Sequence, residues 1–123
     1  DKYTGYACGE NGVLLKYISY KKFAPDKPTF EIGQNHPNPF SEKTTFYVYS
    51  ATPDFDLPAH AQIKLFDILG NEILTLADQE FYSGVYEFTF NPSRDYKNIS
   101  SGVYFLTLIS GDVKQSMKIL YIR

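Results

Sequence analysis

A chain of 123 residues with a formal charge of −2 has room for one domain and a short appendage. It lacks the basic surface that nucleic-acid binding needs to displace counterions. Its residues are 43% hydrophobic and 17% aromatic, enough for a packed core, which excludes a disordered tail. The single cysteine, Cys8, excludes an internal disulfide and a cysteine-based zinc cage. No apolar stretch exceeds strand length, so no helical membrane span is encoded.

The chain opens at Asp1 rather than Met and shows no signal peptide, so it reads as a piece of a longer protein. Between Tyr3 and Tyr20, two short strand signals flank Cys8-Gly9-Glu10-Asn11-Gly12, and Asn-Gly is a strong hairpin-turn dipeptide. The Gly9–Lys16 run resembles the blade end of β-propellers of the photosystem-assembly-factor or sialidase-repeat type. One copy cannot close a propeller, so residues 1–20 read as the last hairpin of a preceding domain. Cys8 reads as a packed residue rather than a nucleophile, because no histidine motif accompanies it. Residues 21–29 read as a linker: Pro25 and Pro28 hold it extended, and Lys21, Lys22, Asp26 and Lys27 keep it solvated. A domain boundary belongs there, and extended backbone of this kind is open to a protease.

From Phe30 the pattern is all-β. Phe30 to Gly33 predicts a short edge strand. Pro37 and Pro39 then push their preceding residues out of the α region and turn the chain. Lys43 to Ser50 predicts a strand with Thr45, Tyr47 and Tyr49 opposite Phe46 and Val48. A loop from Ala51 to Pro58 follows. Ala61, Ile63 and Leu65 alternate with polar residues up to Asp67, and Gly70-Asn71 turns the chain into Glu72 to Ala77. Val85 to Phe90 places Tyr86, Phe88 and Phe90 on one face, and Asn91 to Ser100 reads as a polar loop. The last stretch is a hairpin: Val103 to Ile109, a Ser110-Gly111-Asp112 turn, and a returning strand from Val113. Seven strands at this turn spacing, with no sustained helical period, predict a seven-stranded antiparallel immunoglobulin-like β-sandwich over residues 30–123.

The returning strand breaks its own alternation. Val113, Met117, Ile119 and Tyr121 share one face, and Lys114, Ser116 and Lys118 the other, until Leu120 and Ile122 put apolar side chains beside the lysines. A strand apolar on both faces is either covered on both sides or offered to a partner. Lys118, Leu120, Ile122 and Arg123 are therefore the candidate recognition residues.

Catalytic signals are absent. His36 and His60, the two histidines, lie in no metal or nucleophile motif. Asp54 and Asp56 form an Asp-x-Asp pair that could hold calcium, yet no calcium-loop glycine or closing glutamate follows, so loop solvation is the simpler reading. No phosphate-cradling loop and no nucleophile elbow occur. The chain is read as a non-enzyme with no cofactor and no metal.

Four stretches share one resemblance. Gln34-Asn35-His36-Pro37-Asn38-Pro39-Phe40 resembles the "QNYPNPF" opening of the type A C-terminal sorting domains of the type IX (Por) secretion system. The run from Lys64 to Ile73, with Gly70 in its turn, resembles that family's "(I/L)YDxxGxxV". Ser101-Gly102-Val103-Tyr104 matches its "SGVY", and Lys118 to Arg123 matches its basic-then-apolar ending. His36 stands where tyrosine is usual, and the loop from Ala51 to Pro58 is longer than typical. The resemblance implies a secretion address for cargo of Bacteroidetes-type bacteria. Such cargo passes through the periplasm, crosses the outer membrane through the type IX translocon, and ends up secreted or on the cell surface. Implied partners are the translocon, an outer-membrane shuttle barrel and a surface sortase that cuts upstream of the domain and anchors the cargo. Local structural roles accompany the motifs: Pro37 and Pro39 stiffen the entry loop, Phe40 anchors it, Gly70 and Gly102 permit turns, and Tyr104 offers core surface.

The alternative is a fibronectin-III-like adhesion or carbohydrate-binding module of a surface protein. It would show an exposed aromatic platform on one sheet. A structural spacer is disfavoured, because the sequence ends on a strand with no linker after it.

Overall fold

A computed structural model describes residues 25–95 and 99–123. The propeller-like hairpin over residues 1–20, Cys8 within it, and linker residues 21–24 lie outside the described residues. The strands are β1 (Thr29–Ile32), β2 (Thr44–Ala51), β3 (Ala59–Asp67), β4 (Glu72–Phe81), β5 (Gly84–Phe90), β6 (Gly102–Ser110) and β7 (Val113–Tyr121). One helical turn, α1 (Pro92–Asp95), lies between β5 and β6. The strands build two antiparallel sheets, ordered β1-β2-β5 and β4-β3-β6-β7. This is the expected immunoglobulin-like sandwich, with β4 paired to β3 rather than to β5.

Alternation puts the core between the sheets. Thr44, Phe46, Val48 and Ser50 of β2 turn inward, as do Ala59, Ala61, Ile63 and Leu65 of β3. Aromatic rings fill the interior. Phe81 meets Phe30 and Tyr86 edge-on at centroid distances of 5.8 and 4.7 Å, and Phe46 stacks on Phe88 at 5.6 Å. Each such ring buries a large apolar area, and these geometries add about 0.5–1.5 kcal/mol per pair beyond area alone.

Turn chemistry is local. Gly111 carries a φ of 56° in the β6–β7 hairpin, and Gly70 a φ of 89° between β3 and β4, conformations that side-chain-bearing residues rarely adopt. Asp67 organises the second turn: its carboxylate accepts from the Leu69 and Asn71 N–H groups at 2.9 Å each. These bonds, led by the one from Asn71, lower the Asp67 pKa below the usual carboxylate value.

The sequence expectations err in three places. β4 runs on through Asp78, Gln79 and Glu80 to Phe81 rather than stopping at Ala77. Glu80 and Asp78 face His60 and Gln62 across the ladder and stay outside, while Gln79 pairs with Ala61 and Phe81 turns into the core. The Asn91–Ser100 loop holds α1, whose first turn is capped by Asn91 Oδ1 accepting from Ser93 N–H at 3.1 Å, with Pro92 at the first helical position. Gly102 starts β6 and is not part of a turn.

Because Phe81 is fully buried among three aromatic neighbours, Phe81→Ala should lower stability by about 3–5 kcal/mol. Tyr47→Ala, on the outer face of β2, should cost under about 1 kcal/mol. Urea midpoints of the two variants would check this, and equal losses would contradict the assigned core.

Candidate recognition site

β7 is two-sided. Met117, Ile119 and Tyr121 are buried against the core, with Met117 and Ile119 in register with Leu106 and Tyr104 of β6. Lys118 and Leu120 point the other way, opposite Phe105 and Val103. Leu120 is half-buried, Ile122 is 49% exposed, and Lys118 and Arg123 are exposed. Val103 and Tyr104 are split between faces: Val103 lies beside Leu120, while Tyr104 is buried with its hydroxyl donating to the Ser100 carbonyl at 2.6 Å. Burial raises the Tyr104 pKa, so the phenol stays a donor. Arg123 is tied back to the loop before β6. Its N–H donates to Ser101 Oγ at 2.7 Å, and its guanidinium donates to the Ile99 carbonyl at 3.2 Å.

The opening motif closes over the free edge of this strand. Phe40 N–H donates to the Leu120 carbonyl at 3.0 Å, and Ile122 N–H donates to the Phe40 carbonyl at 2.8 Å. Between them, Leu120 N–H donates to Asn38 Oδ1 at 3.0 Å, and Gln34 Nε2 donates to the Lys118 carbonyl at 3.4 Å. The Phe40 ring, 2% exposed, packs against Phe90 and Tyr121 at 6.0 and 5.1 Å. The peptides before Pro37 and Pro39 are both cis. On its other side the loop is pinned to β2. His36 and Thr45 exchange two backbone bonds of 2.8 and 2.9 Å, and buried Asn35 donates to Thr44 Oγ1 at 2.9 Å. His36 uses only its main chain in this pairing and its side chain is exposed, so its departure from the family's tyrosine costs no backbone bond.

Gln115 extends the closure. Its amide accepts from Ile32 N–H at 3.1 Å and donates to the Phe30 carbonyl at 2.6 Å, joining β1 to β7 across the two sheets. Sequence reasoning missed Gln115 and the side-chain roles of Gln34 and Asn38, because their partners lie more than 80 residues away.

The outer face of the four-stranded sheet carries a shallow groove of about 270 Å³ between Phe66, Phe105, Thr107, Ser116 and Lys114, with Ile68 at one end. Val103 and Leu120 continue this apolar track toward Ile122. The signal for this face lies in the runs Leu65-Phe66 and Val103 to Leu106, where apolar residues occupy both faces of β3 and β6.

The remaining candidates have structural occupations. Asp54 Oδ1 accepts from Asp56 N–H at 2.9 Å, closing its own turn, and no cluster of metal-ligating side chains occurs among the described residues. His60 bridges two carboxylates across the β3–β4 ladder, Glu80 through Nδ1 at 2.8 Å and Asp78 through Nε2. The bond to Glu80, aided by Asp78, raises its pKa above the ordinary value of 6.5.

Two outcomes follow from this geometry. Asn38→Ala should speed hydrogen exchange at the Leu120 amide and cost about 1 kcal/mol, readable by amide-exchange NMR. Unchanged protection at Leu120 would mean that Asn38 does not guard the edge. For His60, a raised folded pKa means that its stabilisation is complete below the unfolded value near 6.5 and fades as pH rises through the folded value. Melting temperature against pH should therefore fall across that window in the wild type and flatten there in His60→Gln.

A sequence profile for one family, described as the secretion system C-terminal sorting domain, matches residues 35–122. No curated protein matches the chain. Among solved structures, dimeric latent PorU from Porphyromonas gingivalis is similar, with 15% identity, a TM-score of 0.60, and coverage of 81% of this chain and 10% of that one. A β-glucosidase, EmGH1 from Erythrobacter marinus, is similar at 11% identity and a TM-score of 0.54, covering 77% of this chain and 16% of that one. The chain thus spans a small fraction of either protein, and at these identities the likeness is one of fold. Over residues 35–122, which hold β2 to β7 and the Asn38 and Phe40 contacts of the edge closure, this chain belongs to the secretion system C-terminal sorting domains, the sorting signals of type IX secretion.

Proposed function

We propose that residues 30–123 form the folded address that takes a cargo protein across the outer membrane through the type IX translocon. In this reading Lys118, Leu120, Ile122 and Arg123 form the contact surface for the export machinery, with an outer-membrane shuttle barrel as receptor. A surface sortase then cuts in or near residues 21–29, upstream of Phe30, and anchors the cargo. Residues 1–20 belong to the preceding cargo domain. The observation that carries the reading is the division of β7: Ile119 and Tyr121 serve the core, while Leu120, half-buried, and Ile122, 49% exposed, remain outside between two cations. A strand needed only for packing has no use for an outer apolar pair.

The adhesion alternative draws less support. The outer face of β2 offers Tyr47 and Tyr49, but the Tyr47 hydroxyl is bonded to Glu87 at 3.1 Å. Tyr49 lies over Gly33, whose Cβ position would stand 3.4 Å from the ring. Two tethered rings make a poor platform for a sugar.

A reporter fused ahead of this chain in a type IX-competent cell tests the proposal. The wild-type fusion should reach the medium or cell surface, with a new C-terminus upstream of Phe30 by mass spectrometry. Leu120→Ser with Ile122→Ser should leave the melting temperature nearly unchanged and strand folded cargo in the periplasm. Ile119→Ala should instead lose about 2–5 kcal/mol of stability. Normal export of the double variant, or unfolding as severe as that of Ile119→Ala, would reduce β7 to a structural strand.

A further inference from the structure

Charges on the outer face of the four-stranded sheet are sorted by strand. Glu72, Asp78 and Glu80 line β4, and each is already engaged: Glu72 with Lys64 at 3.0 Å, Asp78 and Glu80 with His60. Lys114 and Lys118 line β7, both exposed, and neither joins an ion pair among the described residues. Three strand spacings separate the two columns, about 14 Å. The groove between Phe66 and Phe105 lies between them, next to Lys114 and Ser116. The face thus has a spent acidic side, an apolar middle and an unspent cationic side.

We infer that this face docks a protein surface of the export machinery that presents an apolar ridge beside a row of carboxylates. The ridge fills the groove between Phe66, Phe105 and Ser116, and the carboxylates pair with Lys114 and Lys118. The inference rests on the sorting reading and enlarges its contact surface from the end of β7 to the whole outer face. Three occupants compete for such a face, and its charges separate them. A uniformly anionic lipid surface would meet the carboxylates of β4 as well as the lysines of β7, so repulsion on one side offsets attraction on the other. A second copy meeting it face to face would bring carboxylates already paired within their own sheet. A foreign surface with its own unpaired carboxylates satisfies the lysines without either conflict, and such complementarity acts mainly on encounter rate and on rejection of wrong partners.

The test uses the full chain behind a secreted reporter in a type IX-competent host, with Lys114→Glu and Ser116→Trp as variants, neither of them among the four residues at the end of β7. Lys114 is exposed, so Lys114→Glu should match the wild-type melting temperature. Ser116 is exposed too, but its Oγ shares a 2.9 Å hydrogen bond with Thr107 Oγ1, so Ser116→Trp should lose no more than about 1 kcal/mol and stay folded. Surface reporter should fall about tenfold in each, as expected for loss of a steering charge or a filled contact. Lys43→Glu, an exposed cation ahead of β2, is the control and should export normally. If the wild type is exported and Leu120→Ser with Ile122→Ser is not, while both new variants export normally, the enlarged face is wrong and the sorting reading stands. If the wild type itself is retained, the sorting reading fails and this inference falls with it. Sedimentation showing a dimer that Ser116→Trp dissolves without affecting export would overturn it in favour of a second copy. Binding to phosphatidylglycerol vesicles that Lys114→Glu abolishes, again without loss of export, would overturn it in favour of a membrane.

Discussion

The fold depends on how the free edge of β7 is closed. A sandwich strand with an open edge presents unpaired N–H and C=O groups to any passing chain, and natural sheets cover such edges. Here the cover is a loop, and its residues match the edge group by group: Phe40 with both a donor and an acceptor, Asn38 with an acceptor for the Leu120 amide, Gln34 with a donor for the Lys118 carbonyl. The Phe40 ring then wedges against Tyr121 and Phe90, so the polar closure and the hydrophobic core share one residue. Because the same loop is bonded to β2, the two sheets are joined at that seam by hydrogen bonds as well as by packing.

This closure explains why motifs at opposite ends of the domain occur together. Gln34 to Phe40 and Lys118 to Ile122 are a single structural unit separated by the whole sandwich. Holding the inner half of β7 in the core leaves its outer half with a fixed orientation, so Leu120, Ile122 and the lysines are displayed on a rigid plane. Such a surface exists only when the domain is folded. As the proposed contact surface, it differs from a linear peptide signal, which would be legible in an unfolded chain as well.

Much of the architecture was visible in the residues themselves. Strand alternation in Phe46 and Val48 and in Ala61, Ile63 and Leu65 is a local property, as are the turns at Gly70 and Gly111, so these elements could be placed without coordinates. What escaped was non-local. Asp78 and Glu80 look like loop residues until His60 and Gln62 are set opposite them. Gln115 looks like a surface amide until β1 arrives beside it. The inner and outer halves of β7 could be separated by periodicity, but the outer track through Phe66, Phe105 and Val103 needs three strands laid in register. The one turn of α1 arises from Asn91 capping a proline-led segment, a feature too short to generate a helical period.

Gln115 also sets a load path. Tension applied to the chain ahead of Thr29 enters the domain through β1, the shortest strand, held to β2 by four register pairs, to the core by the buried Phe30 ring against Phe81, and to β7 by the Gln115 amide. Peeling β1 away would remove the partners of Gln115 and expose that stretch of β7 without breaking any pair of the β6–β7 ladder, nine register pairs long. A pull from the N-terminal side therefore meets the seam at Gln115 before the central ladders.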